Sequence, residues 1–297
     1  MEFKYSLSKP YDLVLTLLPS FTYPLFSERR GALVKDYGYC RGMEIQRAES
    51  SIVVSGCSNE EFINEVLGLW YDPLNYLSDL SCSFKDLIEE LVWSFRKIRL
   101  SISTMDKCLV FAACFLSRAT NYYSNTVKWV RAIASVDLSS MRRADLSSIS
   151  SSFQVRQFNY LLKNTDILEA LVEANNDLSE LTILRRRLLK YPFIGVKTVD
   201  AYLLFSTKHP IFTPIDRHYK SFTREFLGLK EYVEPRKDLC SNYYCWECPR
   251  RSRCLTWFSM NSFGRLSGWI QTIAYLNSKT GLIKDLESKK ALQSKQS

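Results

Sequence analysis

The chain contains no window approaching the roughly 18 unbroken apolar residues that a membrane-spanning helix requires. Its opening residues, Met1-Glu2-Phe3-Lys4-Tyr5-Ser6, do not lead from a basic segment into an apolar run. These absences argue against a helical membrane anchor and a secretory leader, and an intracellular protein without membrane contact is expected. There is no internal repeat, which excludes solenoid and propeller architectures. A disulfide framework is missing too: the nine cysteines are odd in number, and four crowd into Cys240, Cys245, Cys248 and Cys254. Cys40, Cys57, Cys82, Cys108 and Cys114 are scattered among apolar neighbours, where a free thiol behaves as a small buried hydrophobe.

What is present is a chain of 297 residues with 46% apolar content, enough to bury a large core in one large domain or two smaller ones. Lys and Arg outnumber Asp and Glu by 40 to 31, giving a formal charge of +9, and 13% of residues are aromatic. That balance suits a polyanionic partner whose bases can stack on rings. The positive residues cluster in Arg185-Arg-Arg-Leu-Leu-Lys190, in Arg250-Arg-Ser-Arg253 and in the tail from Lys279 to Lys295. Each cluster also fits a solvated face.

Organisation changes along the chain. From about residue 3 to 55, short runs such as Leu13-Val-Leu-Thr-Leu-Leu18 and Ser51-Ile-Val-Val54 alternate with turn residues and predict a small antiparallel sheet. A capping box, Ser58-Asn-Glu-Glu61, then precedes Phe62-Ile-Asn-Glu-Val-Leu67, and helical periodicity recurs at about 84–98, 104–117, 122–135, 165–174 and 178–190. The expected fold class is α+β, a small N-terminal antiparallel β domain (1–75) packed on a mainly helical body (76–278). The Lys-, Ser- and Gln-rich stretch 279–297 reads as a basic flexible tail.

Pro192 and Gly195 interrupt the helical pattern within Tyr191-Pro-Phe-Ile-Gly-Val-Lys-Thr-Val-Asp200. A tight turn between two helices turns backbone N–H groups outward at a helix N-terminus, where a phosphate is favoured. Gly195 and Val196 would supply these groups, although an ordinary helical corner has the same pattern. Lys197, at the start of the new helix, feels both the dipole and burial, and both disfavour its charged form. A neutral lysine can attack carbon. Asp216 follows 19 residues later, behind Pro214 and Ile215, either as an N-cap or as a carboxylate that stabilises developing positive charge.

At these residues the chain resembles a known group. The run Pro192-x-x-Gly195-x-Lys197-Thr-Val-Asp200, with Ile215-Asp216-x-His218, is similar to the helix-hairpin-helix (HhH-GPD) DNA glycosylase superfamily, and its Lys-to-Asp spacing to the 8-oxoguanine DNA glycosylase branch. The resemblance implies an HhH-GPD glycosylase body, with Lys197 attacking C1′ of a damaged nucleotide, Asp216 assisting, and His218 contacting a phosphate beside the lesion. Gly268-Trp-Ile-Gln-Thr-Ile-Ala-Tyr275 resembles the late helix that lines the branch's flipped-base pocket. Gln271 and Tyr275, four apart, share one helix face. Leu116-Ser-Arg-Ala-Thr-Asn121 resembles the segment that fills the gap left by the flipped nucleotide, with Arg118 as plug and Asn121 and Asn125 near the orphaned base. A polar helix end is the alternative. Tyr11 to Ser20 resembles the N-terminal domain shared by 8-oxoguanine and 3-methyladenine glycosylases.

Three positions depart from the pattern. Phe193 stands where the hairpin has its first glycine, Phe21 is nearest to the glycine that recognises the oxidised ring, and Ala201 replaces a pocket cysteine.

The cysteine quartet has the spacing C-x4-C-x2-C-x5-C, and four thiolates hold either zinc or a [4Fe–4S] cluster. Endonuclease III-like enzymes place a [4Fe–4S] cluster on a similar quartet with a longer first loop, so the resemblance implies a [4Fe–4S] cofactor on Cys240, Cys245, Cys248 and Cys254, with zinc as alternative, in a loop spanning 240–254. Together these readings predict a monomeric, bifunctional DNA glycosylase and AP lyase acting on double-stranded DNA that contains a damaged base, foremost 8-oxoguanine. An enzyme for oxidised pyrimidines or alkylated bases, and a non-catalytic, metal-braced DNA-binding module, are the alternatives.

Overall fold

A computed structural model describes residues 2–6, 10–48, 50–136, 145–173 and 177–283. Residues 284–297, most of the predicted tail, lie outside the described residues. At the N-terminus, β1 (Glu2–Ser6), β2 (Phe26–Arg29), β3 (Ala32–Lys35), β4 (Glu44–Arg47) and β5 (Ser51–Ser55) form one antiparallel sheet in the order β1-β5-β4-β3-β2. Arg30 and Gly31 close the β2–β3 hairpin with φ of 52° and 79°, the left-handed pair that matches the twist of the flanking strands. In the central register Ile45 faces Val54, and both are buried against the helices.

One expected strand is a helix. Leu13–Leu17 (α1) coils because Asp12 caps it, its carboxylate accepting the Leu15 N–H at 3.0 Å. Its buried residues Leu13, Thr16 and Leu17 then share one face. The second correction concerns Cys40 and Cys57, which are bonded to each other as a disulfide rather than lying apart as free thiols. The β5–α2 connection and the β3–β4 loop bring these two residues together, a proximity that a sequence separation of 17 does not reveal. At α2 (Glu60–Leu67), the cap is Asn59, one residue after the expected Ser58, with its Oδ1 accepting the Phe62 N–H at 3.0 Å.

The body consists of α3 (Lys85–Phe95), α4 (Lys107–Leu116), α5 (Val127–Ala134), α6 (Phe153–Asn164), α7 (Ile167–Val172), α8 (Leu178–Lys190), α9 (Val196–Ser206), α10 (Arg217–Glu225), α11 (Lys237–Cys240), α12 (Leu255–Phe263) and α13 (Ser267–Thr280). The α6 helix was not anticipated, although Val155, Phe158, Leu161 and Leu162 form its buried stripe. The expected helix at 122–135 divides, because Tyr122–Thr126 forms a wide π-type turn before α5. Two helices are buried on nearly every side: Leu109 to Leu116 in α4, and Val199 to Ser206 in α9. They pack against each other at the centre of the molecule, where no polar face is needed.

Sheet and helices share one continuous apolar core, from Leu13 through Tyr71 and Ile102 to Ile283. A buried ion pair also joins them. Lys35 of β3 has no exposed surface, and its Nζ lies 2.9 Å from Oδ2 of Asp106, directly before α4. Asp106 further accepts the Tyr39 N–H at 2.7 Å and the Ser103 hydroxyl at 2.8 Å, so both buried charges have partners.

Candidate active site

The α8–turn–α9 hairpin is built around a buried Ile194 and an exposed Phe193. Phe193 has φ of 62°, a left-handed conformation that costs a non-glycine residue about 1–2 kcal/mol. Phenylalanine thus holds here a left-handed backbone that glycine adopts without strain. The Phe193 ring packs edge-on against Tyr160 at 5.6 Å, and its carbonyl accepts a 2.6 Å hydrogen bond from Arg118. Gly195 caps α9 without a side-chain acceptor, and no atom would meet a Cβ there within 4 Å. The first N–H groups of α9, at Val196 and Lys197, begin beside an open surface.

Behind the hairpin, α8 and α9 are locked by Arg185 and Asp200, both buried, through hydrogen bonds of 2.5 and 3.1 Å. This bidentate pair fixes the rotation of α9, and with it the direction of Lys197 one turn earlier.

Lys197 opens into a cleft of about 980 Å³. Its Nζ donates to Oγ of Ser117 at 3.0 Å, and that hydroxyl donates to the Cys114 carbonyl at 2.8 Å. The Phe21 ring centroid is 5.2 Å from Nζ. Burial pushes the Lys197 amine below the ordinary lysine range, with the charge of Asp216 opposing it and that of Arg118 acting in the same direction as burial.

Asp216 is the N-cap of α10, and its second carboxylate oxygen faces α13. Its Oδ1 caps α10 by accepting the Tyr219 N–H at 2.9 Å, while Oδ2 accepts the Gln271 amide at 3.3 Å. Gln271 is only 6% exposed. One turn along α13, Tyr275 packs edge-on against His218 at 5.3 Å and donates to the Tyr123 hydroxyl at 3.3 Å. Burial lowers the His218 pKa, opposed by Asp216 and reinforced by Arg217, Lys279 and Lys197. His218 is thus neutral at pH 7 and accepts a 3.2 Å hydrogen bond from Arg217.

Lys197, Asp216, His218, Gln271, Tyr275, Arg118 and Asn121 all line this one cleft. Two of them are occupied with structural work. Arg118 donates to the Phe115 and Phe193 carbonyls and to Gln157 at 2.8, 2.6 and 2.8 Å, lies over the Phe115 ring, and is lowered by burial to about 10. Asn121 caps the following turn by accepting the Ser124 N–H at 3.1 Å. Ala201 is fully buried in α9 and is absent from the cleft wall.

Phe21 does line the cleft, held edge-on by Tyr122 at 5.5 Å and Phe205 at 5.4 Å. Sequence reasoning missed Ser117, Tyr122 and Tyr123 as wall residues. Their nearest signal was their place within or directly after the Leu116–Asn121 segment.

Of the four loop cysteines, Cys240 and Cys245 lie within reach of the Arg185 charge. Cys240 ends α11, Cys254 precedes α12, and burial raises the Cys240 and Cys245 thiols to about 12 and about 11. The Arg185 charge opposes that rise, and the four sulfurs act on one another electrostatically. Among the described residues, no three His, Cys, Asp or Glu side chains converge closely enough to hold a single metal ion. By residue type alone, four thiols on one short loop match a thiolate-ligated group whose binding would drive off their protons.

No family model matches the sequence, and no curated protein matches it. Solved structures do match along nearly the whole chain. MBOgg1 in complex with a low-affinity DNA ligand is 15% identical, with a TM-score of 0.68 over 94% of this chain and 96% of that one. The 8-oxoguanine glycosylase/lyase of Clostridium acetobutylicum, bound to double-stranded DNA with cytosine opposite 8-oxoG, is 16% identical, with a TM-score of 0.66 over 95% and 98%. The 3-methyladenine DNA glycosylase of Archaeoglobus fulgidus is 13% identical, with a TM-score of 0.59 over 94% and 99%. The fold is therefore that of these DNA glycosylases, a small antiparallel sheet on a helical body. At such identities the likeness is one of fold.

Proposed function

We propose that this protein is a bifunctional DNA glycosylase and AP lyase that binds double-stranded DNA and removes a damaged base, foremost 8-oxoguanine. One observation carries the reading: a lysine with a depressed pKa and a hydrogen-bonded aspartate line the same cleft, beside Gln271 and Tyr275. A flipped base needs such a cleft, with an amide edge to bond and a ring to lie against.

The residues divide the work. Backbone N–H groups at Gly195 and Val196 hold a phosphate and orient the strand. Neutral Lys197 attacks C1′ with its lone pair, the C1′–base bond breaks, and the base leaves with the electron pair and takes up a proton as Nζ loses one. Asp216 stabilises the positive charge that develops on the sugar. Ring opening turns the Lys197–C1′ linkage into an imine, which acidifies C2′. Loss of that proton expels the 3′ phosphate and nicks the strand. Cys240, Cys245, Cys248 and Cys254 would hold a [4Fe–4S] cluster, which would brace the loop.

Borohydride trapping on a duplex containing 8-oxoguanine tests the proposal. A covalent adduct is expected with the wild-type protein and none with Lys197→Gln; the absence of the first, or persistence of the second, would sink the lyase assignment.

A second substrate reading rests on Phe21. Its ring occupies the wall beside Lys197, where an apolar face suits an alkylated base or an oxidised pyrimidine, and the fold match to a 3-methyladenine glycosylase agrees with it. Initial rates on a panel of lesion duplexes separate the two.

A further inference from the structure

Outside the cleft, the cysteine loop presents a stack of planar groups. The rings of Tyr244 and Trp246 lie 4.7 Å apart with 3° between their planes. The Arg186 guanidinium sits 4.4 Å from the Tyr244 centroid and donates to the Asn242 carbonyl at 3.0 Å. Guanidinium and indole thus both pack on the Tyr244 ring. Arg251 ties down the Trp246 backbone by donating to its carbonyl. Trp246 nevertheless leaves 45% of its surface exposed, beside an equally open Tyr243 at 43%. A rigid indole, supported from beneath and open to water, contributes little to folding by remaining uncovered.

The surroundings are basic. Arg250, Arg251 and Arg253 are exposed on the same loop. A groove of about 390 Å³ carries Lys220, Arg224, Lys230 and Arg250 on its walls. Its one carboxylate, Glu234, is paired with Lys220. Lys220 and Glu234 also line the cleft, and Arg250 belongs to the loop that bears Trp246, so the groove shares a wall with the cleft on one side and with the loop on the other.

We propose that the Arg186–Tyr244–Trp246 stack receives an unpaired base of a DNA strand that leaves the cleft along this groove. Cations spaced along a groove match successive phosphates, and an open ring matches the face of a base. Within a duplex, neighbouring pairs cover those faces; an unpaired strand offers both features at once. The choice of DNA as the polymer rests on the glycosylase reading, whereas the stack does not depend on the excision chemistry.

Fluorescence anisotropy at fixed salt tests this with a blunt duplex, the same duplex bearing a single-stranded thymine tail, and one bearing an abasic tail of equal length. Wild-type protein should bind the thymine tail roughly tenfold more tightly than the blunt end, and the abasic tail should recover little of that gain. Trp246→Ala should erase the advantage without changing affinity for the blunt duplex, and Trp246→Phe should keep most of it. Equal binding of thymine and abasic tails by the wild type would overturn the proposal, as would a tail advantage that survives Trp246→Ala. Base release from a blunt lesion duplex by Trp246→Ala should remain at the wild-type level, which separates failure here from failure of the glycosylase reading.

Discussion

The Nζ of Lys197 donates to the hydroxyl of Ser117, 80 residues earlier in the chain, at 3.0 Å. Because that hydroxyl spends its own proton on the Cys114 carbonyl, it can only accept from the amine. The lysine is thereby aimed from the end of α4 while its second donor and lone pair face the cleft.

The first prediction concerns pH. Burial lowers the Lys197 pKa in the folded protein, so the trapping rate should rise with pH until the amine is neutral and then level off. The unfolded chain binds this proton more tightly than the folded chain, so between the depressed and the ordinary lysine pKa stability should increase with pH, and below that window the penalty is fully present. Lys197→Met should then abolish the adduct and raise Tm at neutral pH. A lower Tm in a variant retaining native circular dichroism would refute the burial argument.

Phe193 provides the second. Phe193→Gly removes a left-handed penalty of about 1–2 kcal/mol, while glycine's backbone entropy and the loss of the Tyr160 contact act against it. Urea unfolding should show a net change of less than about 1 kcal/mol. Phe193→Val keeps the strain and makes it worse through β-branching, and should cost about 1–2 kcal/mol on top of the lost ring contact.

A larger effect is expected at Asp200. Asp200→Asn leaves Arg185 buried beside a neutral partner, and breaking such a pair typically costs about 3–5 kcal/mol. Denaturant midpoints of Asp200→Asn, Arg185→Met and the double variant form a cycle. The double variant should lose less than the two single losses added together.

The cysteine quartet gives a fourth. Protein purified without oxygen should be brown, with about four irons per chain, and Cys248→Ser should lower the iron content and loosen residues 240–254 to proteolysis. A colourless protein with one zinc per chain would establish the alternative.

Local pattern carried some of these features and not others. The spacing of Lys197 and Asp216, and the four-residue step from Gln271 to Tyr275, were legible because helix caps and helix faces are short-range properties. Leu13–Leu18 was misread because an apolar run suits strand and helix equally, and the Asp12 cap decides between them. The Cys40–Cys57 pair and the Ser117–Lys197 hydrogen bond were illegible for a different reason. Each depends on where tertiary packing places two distant segments, and an odd cysteine count with no fixed spacing gives no hint of partners. The N-cap reading of Asp216 was legible because capping is local, whereas the bond from Gln271 to its other oxygen depends on the packing of α13 against α10.

The buried Lys35–Asp106 pair gives the sheet a bearing on a cleft to which none of its strands contributes a wall residue. Asp106 is the footing of α4, a ten-residue rod about 15 Å long, and Ser117 is its tip. A sheet that grips the footing sets how far the tip can wander, and therefore how steadily the amine is aimed. Trimming the chain to its helical body would remove the clamp from one end of that rod and leave the aim unsupported.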